Sequence, residues 1–209
     1  MQTIAGIATA LLQACQPTWK AYAKQVIANA KTLGDELVAR GYKLQTSGTD
    51  NHLVLWDLRP LGLTGSKLEK LCDLVGITIN STSPLYLPGT RLIGPAENAV
   101  SGDASAQVPG GIRLGTAALT SRDMLEADMK LVADFLHRAV QIALVLQKEA
   151  GSKLLKDFVR VATTPEEGKV GAQQVLDLRK EVRAFARRWP LPGVDVSTLT
   201  RPAGIEEDD

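Results

Sequence analysis

A chain of 209 residues, 44% of them hydrophobic and 22% charged, is long enough for one or two packed cores and too apolar to stay disordered. Its net charge of +1, with basic and acidic residues interspersed, lacks the electrostatic footprint that draws a protein to nucleic acid or to an anionic membrane. No stretch approaches the roughly 20 consecutive apolar residues that span a bilayer.

In chain order, "MQTIAGIATALLQAC" opens with an apolar run that has no basic lead and no Ala-x-Ala site, so it reads as a helix and not as a targeting segment. An apolar helix starting at residue 3 implies that something normally precedes it. From Pro17 to Arg40, the residues Trp19, Tyr22, Val26, Ala30, Leu33 and Leu37 recur at three- and four-residue intervals and predict a helical face, with Pro17 in its first turn and Gly41 as its stop. "YKLQT" and "HLVLWDL" flank "SGTDN" as the strands of a hairpin. "TGSKLEKLCDLVG" predicts a short helix opened by Thr64 and closed by Gly76, followed by a strand "ITI".

Periodicity then lapses over 81–108, a stretch rich in proline and glycine and long for a connection inside a compact domain. "GIRLGT" resumes as a strand. Thr120 and Asp123 have the spacing of a helix start, and the apolar stripe Leu125, Met129, Val132, Leu136, Ala139, Ala143 and Leu146 continues as a long helix. "AQQVLDLRKEVRAFARRW" is a further helix ending at Pro190, and "RPAGIEEDD" is a polar tail. Mixed strands and helices with a long helical C-terminal part predict an α+β fold.

No glycine-rich phosphate loop, GxSxG elbow or HExxH is present, so no self-contained catalytic motif appears. Cys15 and Cys72 lack CxxC spacing or histidine neighbours; they read as reduced core thiols of an intracellular protein, with no metal site. The sharpest candidate is Arg113, a permanent cation between Ile112 and Leu114 with Gly110, Gly111 and Gly115 around it. Two readings stay open: a fork for a ligand carboxylate, or a structural ion pair with an Asp or Glu. Asn98 offers an amide donor and acceptor in a loop, where turn formation is the simpler role. His52 reads as a structural residue opening a strand, His137 as a solvated one between Asp134 and Arg138, and Trp19, Trp56 and Trp189 as core or core-edge packing.

"GYKLQTSGTDNHLVLWDLRPLGLTGSKLEKLCDLVGITIN" and "NAVSGDASAQVPGGIRLGTAALTSR" closely resemble serine hydroxymethyltransferase, also called glycine hydroxymethyltransferase. The opening "TIAGIATAL" and the ending "FARRWPLPGV" are similar to the same family, so the likeness covers most of 3–194. The resemblance implies the C-terminal small α+β domain of a fold type I transferase dependent on pyridoxal 5'-phosphate, its small sheet packed by helices. Residues 1–40 would be connecting helices from a large domain that this chain lacks, 41–194 the small domain, and 195–209 a polar tail. The activity implied is interconversion of serine and glycine with tetrahydrofolate as one-carbon carrier. Arg113 matches the arginine that clamps the amino acid carboxylate, which would make the substrate its partner. Asn98 matches the asparagine that contacts the folate pterin ring, and Asn80 an earlier one.

The chain departs from the family in two ways. No segment resembles the motifs carrying the Schiff-base lysine, the aspartate on the pyridine nitrogen, the stacking histidine or the catalytic glutamate, so the isolated chain is expected to be inactive. Between Asn80 and Asn98 it also interposes "STSPLYLPGTRLIGPAE", an inserted loop over 81–97 beside the folate position. The implied partners are serine, glycine and folate, within a homo-oligomer of two or four subunits, with neither nucleic acid nor membrane. The implied location is cytoplasmic or organellar, in mitochondrion or plastid. The alternative is a non-catalytic shortened isoform that associates with full-length subunits and modulates them.

Overall fold

The structure, a computed structural model, describes residues 2–81, 109–195 and 198–199. Helices α1 (Gln2–Ala14) and α2 (Pro17–Ala39) lead into strand β1 (Lys43–Leu44), strand β2 (Leu53–Asp57) and helix α3 (Gly65–Val75). Strand β3 (Gly111–Gly115) follows, then the one-turn helix α4 (Ala117–Thr120), α5 (Glu126–Ala150), α6 (Leu155–Thr163) and α7 (Gly171–Ala186). The three strands form an antiparallel sheet in the order β1-β2-β3, with Leu44 opposite Trp56 and Leu55 opposite Arg113. This is an α+β architecture.

The punctuation read from the sequence works by local hydrogen bonding. Helix α2 closes with Gly41 at φ +83°, where Gly41 N donates to Val38 O and Tyr42 N to Leu37 O. Helix α3 closes identically, with Gly76 at φ +84°, Gly76 N donating to Asp73 O and Ile77 N to Cys72 O. Both are Schellman closures, and glycine supplies the left-handed residue without a Cβ penalty. Thr64 Oγ1 accepts the Lys67 N–H and caps the start of α3.

One apolar cluster joins the elements. Leu33 and Leu37 of α2, Val54 and Trp56 of β2, Leu68, Leu71 and Cys72 of α3, and Ile112 and Leu114 of β3 pack against α5, α6 and α7. Trp56 is fully buried, with its ring 4.6 Å from that of Tyr42. Burial of each large apolar side chain contributes roughly 1.5–3 kcal/mol before entropy is counted.

Four expectations need correction. "ITI" forms no strand: Ile77 has spent its N–H on closing α3, and Asn80 alone bridges to Arg113. Thr120 and Asp123 do not start α5; Thr120 ends α4, Asp123 sits at φ +65°, and the carboxylate of Asp128 takes the Leu125 N–H ahead of Glu126. Helix α6, which buries Phe158, Val161 and Ala162, goes unread because its nine residues are fewer than the window over which a helical period is read. Cys15 and Trp19 lie exposed, since α1 buries no residue and the first turn of α2 stands clear of the core; Cys72 is buried as expected.

Candidate functional site

Alternation along β3 sends Ile112 and Leu114 into the core, so Arg113 lies on the opposite face, half-buried. The strand is held on both edges at this residue. Leu55 is its register partner in β2, while on the other side Arg113 N donates to Asn80 O at 2.6 Å and Asn80 N to Arg113 O at 3.3 Å. The guanidinium is therefore carried on a backbone that cannot slide without breaking pairs on two sides.

The same period of two places Leu53, Leu55 and Asp57 on the Arg113 face of the sheet. Asp57 is 1% exposed. Its Oδ1 accepts from Arg59 Nε at 2.8 Å and Arg59 N at 3.1 Å, while Oδ2 accepts from Arg59 Nη2 at 2.9 Å and lies 3.2 Å from Lys43 Nζ. The side-chain hydrogen bonds of Arg59 are the main reason its carboxyl is lowered to about 2, while burial works the other way.

The exits of β3 are pinned as well. At its start, Leu58 N donates to Gly110 O at 2.9 Å and Gly65 N to Pro109 O at 2.7 Å, which seats the first turn of α3 on the strand. At its end, Thr116 N donates to His52 O and Thr116 Oγ1 to Val26 O of α2 at 2.8 Å. Ser81, buried where the chain leaves Asn80, donates through Oγ to Glu69 of α3.

The candidates separate accordingly. Arg113 and Asn80 meet, through their backbones. Asn98 and 82–97 of the interposed stretch lie outside the described residues. His52 is exposed at the entry to β2 and contributes its carbonyl. His137 is not solvated: half-buried on α5, its Nδ1 shares a 2.6 Å hydrogen bond with Tyr42, whose phenol is raised by burial. Asp57 and Asn29, which brace the site, are not singled out by sequence reading. The D-x-R spacing in "WDLRP" is a signal for the first, and an asparagine on the apolar stripe of α2 for the second.

The buried lysine among the described residues is not placed to hold pyridoxal phosphate. This is Lys67, at 4% exposure, and its Nζ donates to Gln147 Oε1 at 2.8 Å and lies 5.8 Å from the Phe158 ring centre, inside the packing of α3, α5 and α6. Two open clefts, of 260 Å³ beside Leu74 and Val175 and of 450 Å³ beside Gln141 and Gln174, contain neither a lysine nor Arg113. No helix among the described residues is long and apolar enough to cross a membrane.

The family model for serine hydroxymethyltransferase matches residues 1–136. Serine hydroxymethyltransferase 4 of Arabidopsis thaliana is 46% identical over 196 residues, 94% of this chain and 36% of the relative. Serine hydroxymethyltransferase 3, chloroplastic, of Arabidopsis thaliana is 41% identical across 92% of this chain and 33% of its own length. Serine hydroxymethyltransferase, cytosolic, of Oryctolagus cuniculus is 41% identical across 91% of this chain and 36% of its own length. This chain thus spans about a third of each of these relatives, and over that third the match in sequence shows that it belongs to the serine hydroxymethyltransferase family.

Proposed function

We propose that this chain is the C-terminal small domain, with its connecting helices, of a fold type I serine hydroxymethyltransferase that interconverts serine and glycine using tetrahydrofolate. In this reading 1–40 are the connecting helices, 41–194 the small domain with an insertion over 81–97, and 195–209 a tail. The observation that carries it is Arg113 on the outward face of β3, backbone-paired to Leu55 on one side and Asn80 on the other, within a chain of this family. Its guanidinium takes the amino acid carboxylate through two parallel hydrogen bonds and fixes the orientation of the substrate.

Pyridoxal phosphate supplies the electron sink in this family. The buried lysine among the described residues, Lys67, is bonded to Gln147 inside the helical packing, so the isolated chain is proposed to be inactive, with the cofactor held by the part of the relatives outside the span matched here. Asn98 is proposed as the folate contact.

The test is a chimera in which the part of Arabidopsis thaliana serine hydroxymethyltransferase 4 not matched here is joined to residues 1–209. Serine turnover with tetrahydrofolate is expected in the chimera and not in the isolated chain. Removing one partner of a desolvated charged pair costs about 3–5 kcal/mol, so Arg113→Ala should lower kcat/KM by about a hundred- to several thousand-fold. Near-normal turnover in Arg113→Ala would remove the assignment.

A second reading has its own observation. Ile4, Ile7, Leu11 and Leu12 of α1 are all exposed, and such a face favours association with other subunits by a shortened, non-catalytic form. Failure of the isolated chain to co-purify with a full-length family subunit would count against it.

A further inference from the structure

A closed chain of buried hydrogen bonds joins α2 to the segment that follows β3. Asn29 is completely buried, as is Thr116, and Thr120 nearly so. Asn29 Nδ2 donates to Thr120 Oγ1 and to Met124 O, each at 2.9 Å, and Asn29 Oδ1 accepts from Gln25 Nε2 at 3.0 Å. Thr120 Oγ1 donates on to Thr116 O at 2.8 Å, and Thr116 Oγ1 returns to α2 by donating to Val26 O at 2.8 Å. The orientation of the amide is unambiguous, because a carbonyl such as Met124 O can only accept.

Buried polar groups in a packed core cost free energy unless satisfied, and a satisfied network admits few alternative arrangements. An apolar contact between α2 and β3 could shift by a fraction of a turn at little cost. This network could not, because every shift leaves a buried donor or acceptor without its bond. Thr116 lies three residues beyond Arg113, and its own N–H is taken by His52 O at the entry to β2. The network therefore ends at the residue that follows the strand carrying the guanidinium.

We propose that Asn29 is a positioning residue for Arg113: through Thr120 and Thr116 it locks the exit of β3 to helix α2, and so sets where the guanidinium stands relative to that helix. The proposal rests on the reading of Arg113 as the carboxylate ligand for its functional meaning. The contact itself can be tested without any ligand.

The experiment uses the full 209-residue chain labelled with ¹⁵N. The side-chain Nε–H signal of Arg113 is assigned by its loss in Arg113→Lys and followed in Asn29→Leu and Thr116→Val, with backbone amide exchange measured in parallel. Ile142→Val, in α5, is the control for general loss of stability. Both test variants are expected to shift the Arg113 Nε–H signal and to speed exchange at the Arg113 and Thr116 amides by about tenfold, the effect of losing one buried hydrogen bond, while α3 amides change little. Ile142→Val is expected to leave the Arg113 signal in place. Thr116→Val nearly preserves shape, so it decides the matter if Asn29→Leu does not fold. An unmoved Arg113 signal in Thr116→Val, or an equal shift in Ile142→Val, would overturn the proposal. Either result leaves the carboxylate reading to be judged by turnover of the Arg113→Ala chimera alone.

Discussion

Gly65 and Gly111 meet backbone to backbone: a Cβ built on Gly65 would lie 2.2 Å from Gly111 O and 2.9 Å from the Cβ of Ser81. Helix α3 is thus seated directly on the entry to β3, and the Gly65 N–H donating to Pro109 O draws the two together. Gly65→Ala must push strand backbone aside, since no flexible side chain can yield there. The expected loss of stability is about 2–3 kcal/mol, as for overpacking in a tight core. Urea denaturation should show a lower midpoint at an unchanged slope. An unchanged midpoint would mean that the mount of β3 is soft.

Asp57 makes stability depend on acid. Its carboxyl is lowered to about 2 in the folded chain, chiefly by the hydrogen bonds from Arg59, against an ordinary value near 4 unfolded. A group lowered on folding contributes its stability above the unfolded value and loses it as pH falls through the folded one. The contribution, about 2 kcal/mol, should be present above pH 4–5 and fade between about pH 4 and 2. Comparing urea midpoints of the parent and Asp57→Asn across that window checks it; parallel pH curves would contradict the pairing.

Arg122 holds the end of α7. Its Nη2 donates to Ala186 O at 2.6 Å and Trp189 O at 2.9 Å, and its Nε to Pro190 O at 3.1 Å. These carbonyls lie at or just past the helix terminus, where no further turn supplies donors. Arg122→Ala should cost about 1–3 kcal/mol and speed amide exchange in the last turn of α7, near 183–189. Arg122→Lys should recover only part, because an ammonium cannot reproduce the planar fork.

Lys67 is a buried amine that no carboxylate is seen to meet among the described ion pairs, and burial lowers its pKa. Because the unfolded chain then binds the proton more tightly than the folded one, stability should rise with pH as the amine titrates, below the ordinary lysine value near 10.5. Lys67→Met keeps the stem and removes the charge. It should leave stability at pH 7 within about 1 kcal/mol or raise it, and it should abolish the Lys67 part of the alkaline rise. A large loss at pH 7 would show that the bond to Gln147 outweighs the cost of burial.

Much of the fold was legible because its signals are local. Pro17, Gly41, Thr64 and Gly76 act within one turn of themselves, and each occupies the place its residue type suggests. Thr120 and Asp123 misled for a related reason. A threonine hydroxyl suits a helix cap and a buried tertiary bond equally well, and Asn29, 91 residues away, decides which it makes. Helix α6 was missed because, although one of its faces is strongly apolar, its nine residues are fewer than the window over which a helical period is read.

The sequence by itself determined that Arg113 faces away from Ile112 and Leu114, since a strand alternates whatever it packs against. It determined the family too, because "TDNHLVLWDLRPLGLTG" and "PGGIRLGTAALTSR" are long enough to be specific. Only the tertiary structure decided which polar groups meet. Tyr42 reaches His137 across 95 residues, and Asn29 reaches Met124 across 95. Periodicity depends on neighbours one turn away, whereas a side-chain hydrogen bond depends on where packing brings two distant segments together.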